Sequence, residues 1–278
     1  MRLDAARNLA KAWLLLLIVC ALLGGLGWAL DGARVASLFV FCVLLAALGV
    51  YAYADRVLLG MLGARRAASA EHLAFAGTVE RLSRKLGIAP PKLYVIPDGF
   101  PRALTAGRGP RGAALAVSHG LLASLSPAEL EGVLAHELVH VRNRDVLVQT
   151  TAVIVAATLV ELSRIGGWLE RALLFVLAPI AAAFVSLLLS PKRELAADRA
   201  AAALLETPHG LADALVRLEQ VNELIEFAAS PATEPLYTLN PFAEEGLALM
   251  FVTHPPVAQR VERLRSLDPD WRAKLHAA

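Results

Sequence analysis

The sequence predicts a mainly α, integral membrane protein with four transmembrane helices and a cytoplasmic domain that carries a small β-sheet. Three observations predict it. Four uncharged apolar runs punctuate the 278 residues, positive charges crowd the outer flanks of the first two runs, and the polar stretches alternate helical and strand-like patterns. The hydrophobic fraction of 57% exceeds that of an average soluble domain, and the excess is concentrated in those runs.

Residues 12–30, AWLLLLIVCALLGGLGWAL, and 35–54, VASLFVFCVLLAALGVYAYA, hold no charge. At about 1.5 Å per helical residue, each reaches roughly 30 Å, the thickness of a bilayer's hydrocarbon core. The spacer DGAR suffices for a turn, so the pair reads as a helical hairpin. A secretory leader is disfavoured. No small-residue cleavage pattern precedes the second run, and the first is longer than a leader's apolar core. Arg2, Arg7 and Lys11 precede the hairpin; Arg56, Arg65, Arg66, Arg81, Arg84 and Lys85 follow it; the loop holds only Arg34, close to Asp31. The positive-inside rule then places both ends in the cytoplasm. Cys20 and Cys42 lie within the two runs, which argues against a disulfide framework or a thiolate metal site. A net charge of +2 without a basic, aromatic-interleaved cluster disfavours nucleic acid as a partner.

Residues 146–160 form a shorter run containing Gln149, Thr150 and Thr151, and 172–190 a longer one interrupted by Pro179. The former also suits a buried soluble helix. Read as a second hairpin, they divide the chain into a transmembrane hairpin (12–59), a first part of the cytoplasmic domain (60–145), a second hairpin (146–190) and a second part of that domain (191–278). Within the first part, 60–87 has helical period with a stop at Gly87–Ile88, before the breaker Ala89-Pro90-Pro91. KLYVI, RALTA and AALAVS, between 92 and 118, read as short strands parted by Gly and Pro turns. Ser126, Pro127 and Glu129 mark a helix start, with serine as N-cap, proline at the first position and glutamate closing a capping box. The tail, 208–278, reads as helices with a loop around SPATEPLYTLNPF.

The helix launched at Ser126 carries GVLAHELVHVRNRD, 132–145. His136 and His140 project from one face a turn apart, within reach of one zinc ion. Glu137 points about 100° away, beside the metal's open position, where it can take a proton from water whose pKa the zinc lowers, and so promote attack on a peptide carbonyl. Two solvated helix histidines are the plain alternative, but H-E-x-x-H is rare by chance in a chain with 7 histidines. The polar flanks SPAEL and VRNRD imply a partly wet helix.

A catalytic zinc needs a third ligand. SPKRELAADRAAA, 190–202, offers Glu194 as that ligand, with Asp198 four residues on to receive a hydrogen bond from a ligand imidazole. Taken alone, the segment reads better as an exposed charged helix with an Arg193–Glu194 surface pair. A second membrane hairpin reverses that preference, because one run leads out, the other returns, and Glu194 comes back to the histidines' side.

With these motifs the chain resembles HtpX-type membrane zinc metalloproteases, a heat-shock protease family related to the CAAX prenyl proteases. The resemblance rests on the N-terminal hairpin, AVSHGLL (116–122), LSPAELEGVLAHELVHVRNRD (125–145), RELAADRAA (193–201) and FVTHPPVAQRVERL (251–264). It implies a zincin-like metalloprotease domain facing the cytoplasm from a bacterial-type inner membrane, with one zinc on His136, His140 and Glu194 and Glu137 as general base. It implies ATP-independent cleavage of misfolded membrane proteins. The recurring THPP and a following arginine make His254 or Arg260 an oxyanion donor; equally, HPP starts the last helix and Arg260 joins a surface pair. Where the family has asparagine ahead of its substrate-pairing strand, this chain has Arg102, which bears on side-chain preference. His119 stands where a small polar residue is usual and suits the surface; His72, His209 and His276 have no partner pattern.

Two other readings compete. An intramembrane-cleaving protease would need the motif inside a span and an aspartate from another. Here Arg142, Arg144 and Asp145 flank the motif, and no uncharged run contains an aspartate. A non-catalytic membrane scaffold would tolerate loss of Glu137, which is present.

Overall fold

The computed structural model describes residues 2–150, 191–222 and 255–268. They form a mainly helical structure with one small mixed sheet. The third and fourth expected spans lie largely outside these residues.

The helical segment α1 (Arg2–Met61) breaks at Asp31 and Gly32, where Gly32 takes φ 68° and ψ −153°, a backbone region open to glycine. The two arms then run back along each other. A Cβ on Gly27 would lie 2.8 Å from the Ala36 backbone, and one on Gly24 would lie 3.0 Å from Val40 Cγ2, so the missing side chains set the arms' separation. Asp31–Gly49 is, among the described residues, the one helix long and apolar enough to cross a membrane. Its Leu38, Phe41, Leu44, Leu45 and Leu48 side chains are exposed.

The helical period expected over 60–87 is interrupted. Gly63 takes φ 61°, and Ala64 N–H donates to the Leu59 carbonyl, which closes the helix. Strand β1 (Arg65–Arg66) follows, antiparallel to β2 (Lys92–Ile96), before α2 (Ser69–Leu86) begins. Periodicity misses this strand because its partner lies almost thirty residues away. Gly87, at φ 66°, ends α2 where the breaker suggested.

Strands β3 (Ala103–Gly107) and β4 (Ala113–Ser118) complete a sheet of order β1-β2-β4-β3. β4 lies parallel to β2 and antiparallel to edge strand β3. Every residue of β3 and β4 is buried, because both faces are covered. Alternation sorts the side chains. Ala103, Leu115 and Val117 join the main core with Phe75, Leu134 and Leu138. Leu104, Ala106, Ala114 and Ala116 meet Leu58 and Leu59 from the end of α1.

Helix α3 (His119–Ser124) leads to α4 (Pro127–Asn143), which starts with the expected capping box: Glu129 N–H donates to Ser126 Oγ, and Ser126 N–H donates to Glu129. Helices α5 (Pro191–Leu205) and α6 (His209–Asn222) pack against it, and α7 (Val257–Arg265) packs against α6 and α5. Residues 132–141 of α4 are all buried, so, polar flanks notwithstanding, this part of the helix is shielded from the protein surface. Each large buried side chain contributes roughly 2 kcal/mol, whereas the β-branched valines of α4 forfeit only tenths in helix propensity. Packing therefore holds α4.

Helices α4 and α6 approach each other closely. A Cβ on Gly132 would sit 2.5 Å from the Leu211 nitrogen, and one on Gly210 would sit 2.5 Å from the Ala128 carbonyl oxygen. Because both obstacles are backbone, Gly132→Ala should destabilise the domain by about 3 kcal/mol, read as a lower denaturation midpoint; an unchanged midpoint would show that α6 can retreat without loss.

Candidate metal centre

His136 and His140 leave the buried face of α4 with their rings edge to face, centroids 4.8 Å apart. Their Nε2 atoms approach to 3.2 Å. Oε2 of Glu194, from the first turn of α5, lies 3.4 Å from each. The three donor atoms thus form a nearly equilateral triangle. Tetrahedral zinc, at about 2.0–2.1 Å from each ligand, separates its donors by about 3.3 Å, so this side-chain set fits a single cation. All three residues are buried.

The second nitrogen of each ring faces a carboxylate. His136 Nδ1 lies 2.9 Å from Asp198 Oδ1, and His140 Nδ1 lies 3.0 Å from Asp145 Oδ2. A proton held on Nδ1 leaves the Nε2 lone pair directed into the triangle. Asp198 is itself gripped by Arg260, whose Nε and Nη2 donate to its two oxygens at 2.8 and 2.7 Å. Arg193 Nη1 lies 3.8 Å from Asp145. The carboxylates of Glu137, Asp145, Glu194 and Asp198 face these two arginines, leaving two negative charges over when the imidazoles are neutral. A divalent cation matches that excess.

Glu137 is buried on α4, and its Oε2 accepts a hydrogen bond from the Thr105 hydroxyl at 3.1 Å. Burial raises its pKa, partly countered by His136 and His140. Burial would lower the pKa of His140, but Glu194 and Asp145 overcome it and push it up to about 10; His136 is raised in the same way by Asp198 and Glu194. Burial also opposes the Asp198 charge, yet Arg260 and His136 hold that carboxyl well below the usual range.

Of the residues singled out from sequence, His136, Glu137, His140, Glu194, Asp198 and Arg260 thus meet at one place. Arg260 is fully buried, so the surface pair considered for it is not formed. Glu194 is only 3% exposed, which likewise removes the solvated Arg193–Glu194 pair. His254 lies outside the described residues, as does His276. Arg102 is buried, pairs with Asp98, and donates its backbone N–H to Ser118 Oγ. His119 is exposed and close to Arg65, and His209 contacts Asp268 at 3.0 Å.

Asp145 and Thr105 were not anticipated. Asp145 lies past the helix end, where periodicity gives no direction. Arg144, at φ 62°, caps α4 in the left-handed region, and the turned chain brings Asp145 back to His140. Thr105 sits on a strand, and which face of the strand meets α4 depends on the sheet register.

A helix bearing H-E-x-x-H, joined by a glutamate from a later helix and backed by a mixed sheet, defines a metallopeptidase. The chain belongs to peptidase family M48, whose profile matches residues 69–268. Protease HtpX homologs from Pelotomaculum thermopropionicum and Acidiphilium cryptum are 36% and 38% identical to it, over 94% of this chain and 99% and 96% of theirs. The crystal structure of S. mikatae Ste24p aligns over 95% of this chain and 66% of that one, at 19% identity and TM-score 0.49.

Removing Arg260 while keeping Asp198 would leave a buried charge without its bidentate partner. Arg260→Met should therefore lower stability by about 3–5 kcal/mol, and the double variant with Asp198→Asn should regain part of it. Denaturation in detergent of these two and of Asp198→Asn alone checks both; a double-variant loss equal to the sum of the two single losses would show that the pair is not coupled.

Proposed function

We propose that the chain is a zinc endopeptidase crossing a bacterial-type inner membrane four times, with its active site and both termini in the cytoplasm, and that it hydrolyses misfolded or damaged membrane proteins in stress-related quality control. The observation that carries the peptidase chemistry is the donor triangle of His136, His140 and Glu194 with the Glu137 carboxylate on the same helix. The apolar side chains exposed along α1 support the membrane reading, since soluble surfaces rarely leave such a stripe uncovered. The resemblance to the HtpX family supports the substrate class and orientation.

His136, His140 and Glu194 would hold the zinc, which when bound would supply Lewis acidity for activating water and polarising the scissile carbonyl. Glu137 takes the proton from the attacking water and passes it to the leaving amine. Thr105 holds that carboxylate in place from the edge strand. Asp145 and Asp198 orient the two rings, and Arg260 acts through Asp198 as a positioning residue. His254 is assigned to oxyanion stabilisation, in keeping with the family's THPP motif.

Glu137→Gln should retain metal at the wild-type ratio per chain but cleave unfolded casein about 10²–10⁴-fold more slowly. Wild-type turnover in that variant would refute Glu137 as general base. Glu194→Ala should lose metal on dialysis against a weak chelator; elemental analysis showing full retention would remove Glu194 from the ligand set.

A further inference from the structure

A hollow of about 550 Å³ opens where the β3–β4 turn meets the end of α4, lined by Arg108, Gly109, Pro110, Arg111, Gly112 and Arg144. Three arginines therefore border one space. The chain contains no acidic residue between Asp98 and Glu129. Among the described residues, neither Arg111 nor Arg144 has a carboxylate within ion-pair distance. Two such cations side by side, Arg111 and Arg144, favour an anion, and guanidinium forks match phosphate oxygens in pairs.

The hollow is shaped by backbone. Gly107, at φ 131°, faces the Gly112 carbonyl so closely that a Cβ would lie 2.3 Å from its oxygen. Gly112 N–H donates to the Gly109 carbonyl at 3.0 Å. A Cβ on Gly109 would stand 3.5 Å from Arg144 Cγ, so the stem of Arg144 lies along the turn. The left-handed conformation of Arg144 swings that side chain off the helix axis.

Its position in the fold points to the source of the anion. The strands that carry the turn are seated on Leu58 and Leu59, at the end of the second apolar run. Gly107 N–H donates to Thr150 Oγ1 at 3.4 Å, and Ala113 packs with Val146, at the start of the third run. The arginines are therefore bracketed by the two places where chain and bilayer would meet, at the level where lipid phosphates lie.

We propose that this hollow binds the phosphate of an anionic phospholipid headgroup, an inference that rests on reading the apolar runs as membrane spans. The test uses the full chain, purified and delipidated in detergent and titrated in native mass spectrometry with phosphatidylglycerol or with phosphatidylcholine of the same acyl chains. The first phosphatidylglycerol should bind at least tenfold tighter than phosphatidylcholine. Arg108→Gln/Arg111→Gln, which leaves the Arg144 cap intact, should reduce that preference to about twofold or less. Arg84→Gln/Arg263→Gln removes the same charge from exposed positions elsewhere and should keep it. Arg111→Gln alone, at the turn, should weaken it in the same direction should the double variant fold poorly. A full preference in the Arg111 variants overturns the site. Equal competition by inorganic phosphate overturns the lipid assignment in favour of a free phosphate. Carbonate extraction of membranes separates the two ideas: a chain that washes off refutes the spans, whereas a retained chain with no headgroup preference refutes only the hollow.

Discussion

The structure depends on concentrating two imidazoles and a carboxylate, donor atoms 3.2–3.4 Å apart, inside a buried core. Charged and polar groups in such a place are tolerated only when each is partnered. That demand accounts for the surrounding residues. Asp145 and Asp198 face the imidazoles from behind, Arg260 neutralises Asp198, and Thr105 steadies Glu137. Helices α4, α5 and α7 and strand β3 are consequently tied together by polar contacts as well as by the apolar core. A shift of any one of them would strand a buried charge.

Packing supplies the rigidity that the polar set needs. Helix α4 is buried along 132–141, with the sheet above it and α6 pressed against its first turns. Gly132 and Gly210 allow that approach, since any larger residue would meet backbone. The sheet is covered on its other face by the end of α1, so the same strands connect the peptidase core to the apolar hairpin. The hinge between the two is therefore a packed interface of Leu58 and Leu59 with small strand residues, not a loose linker.

The two ligand-bearing helices are separated in the chain by the stretch 151–190, yet their donor atoms meet.

Helix starts, turns and local chemistry were legible in the sequence because they depend on neighbours a few residues apart. The capping box at Ser126 and Glu129, the stop at Gly87, the reversal at Asp31–Gly32 and the shared face of His136 and His140 all follow from local sterics and hydrogen bonding. The i, i+4 spacing of Glu194 and Asp198 was also visible, but alone it did not distinguish a buried pair from a solvated one. Tertiary structure decided what required distant parts of the chain to meet. It buried Glu194, closed Arg260 onto Asp198, paired β1 with β2 inside a stretch that reads as helix, and turned Asp145 back onto His140. Those outcomes depend on burial and on register between segments tens of residues apart, and neither quantity is encoded in periodicity.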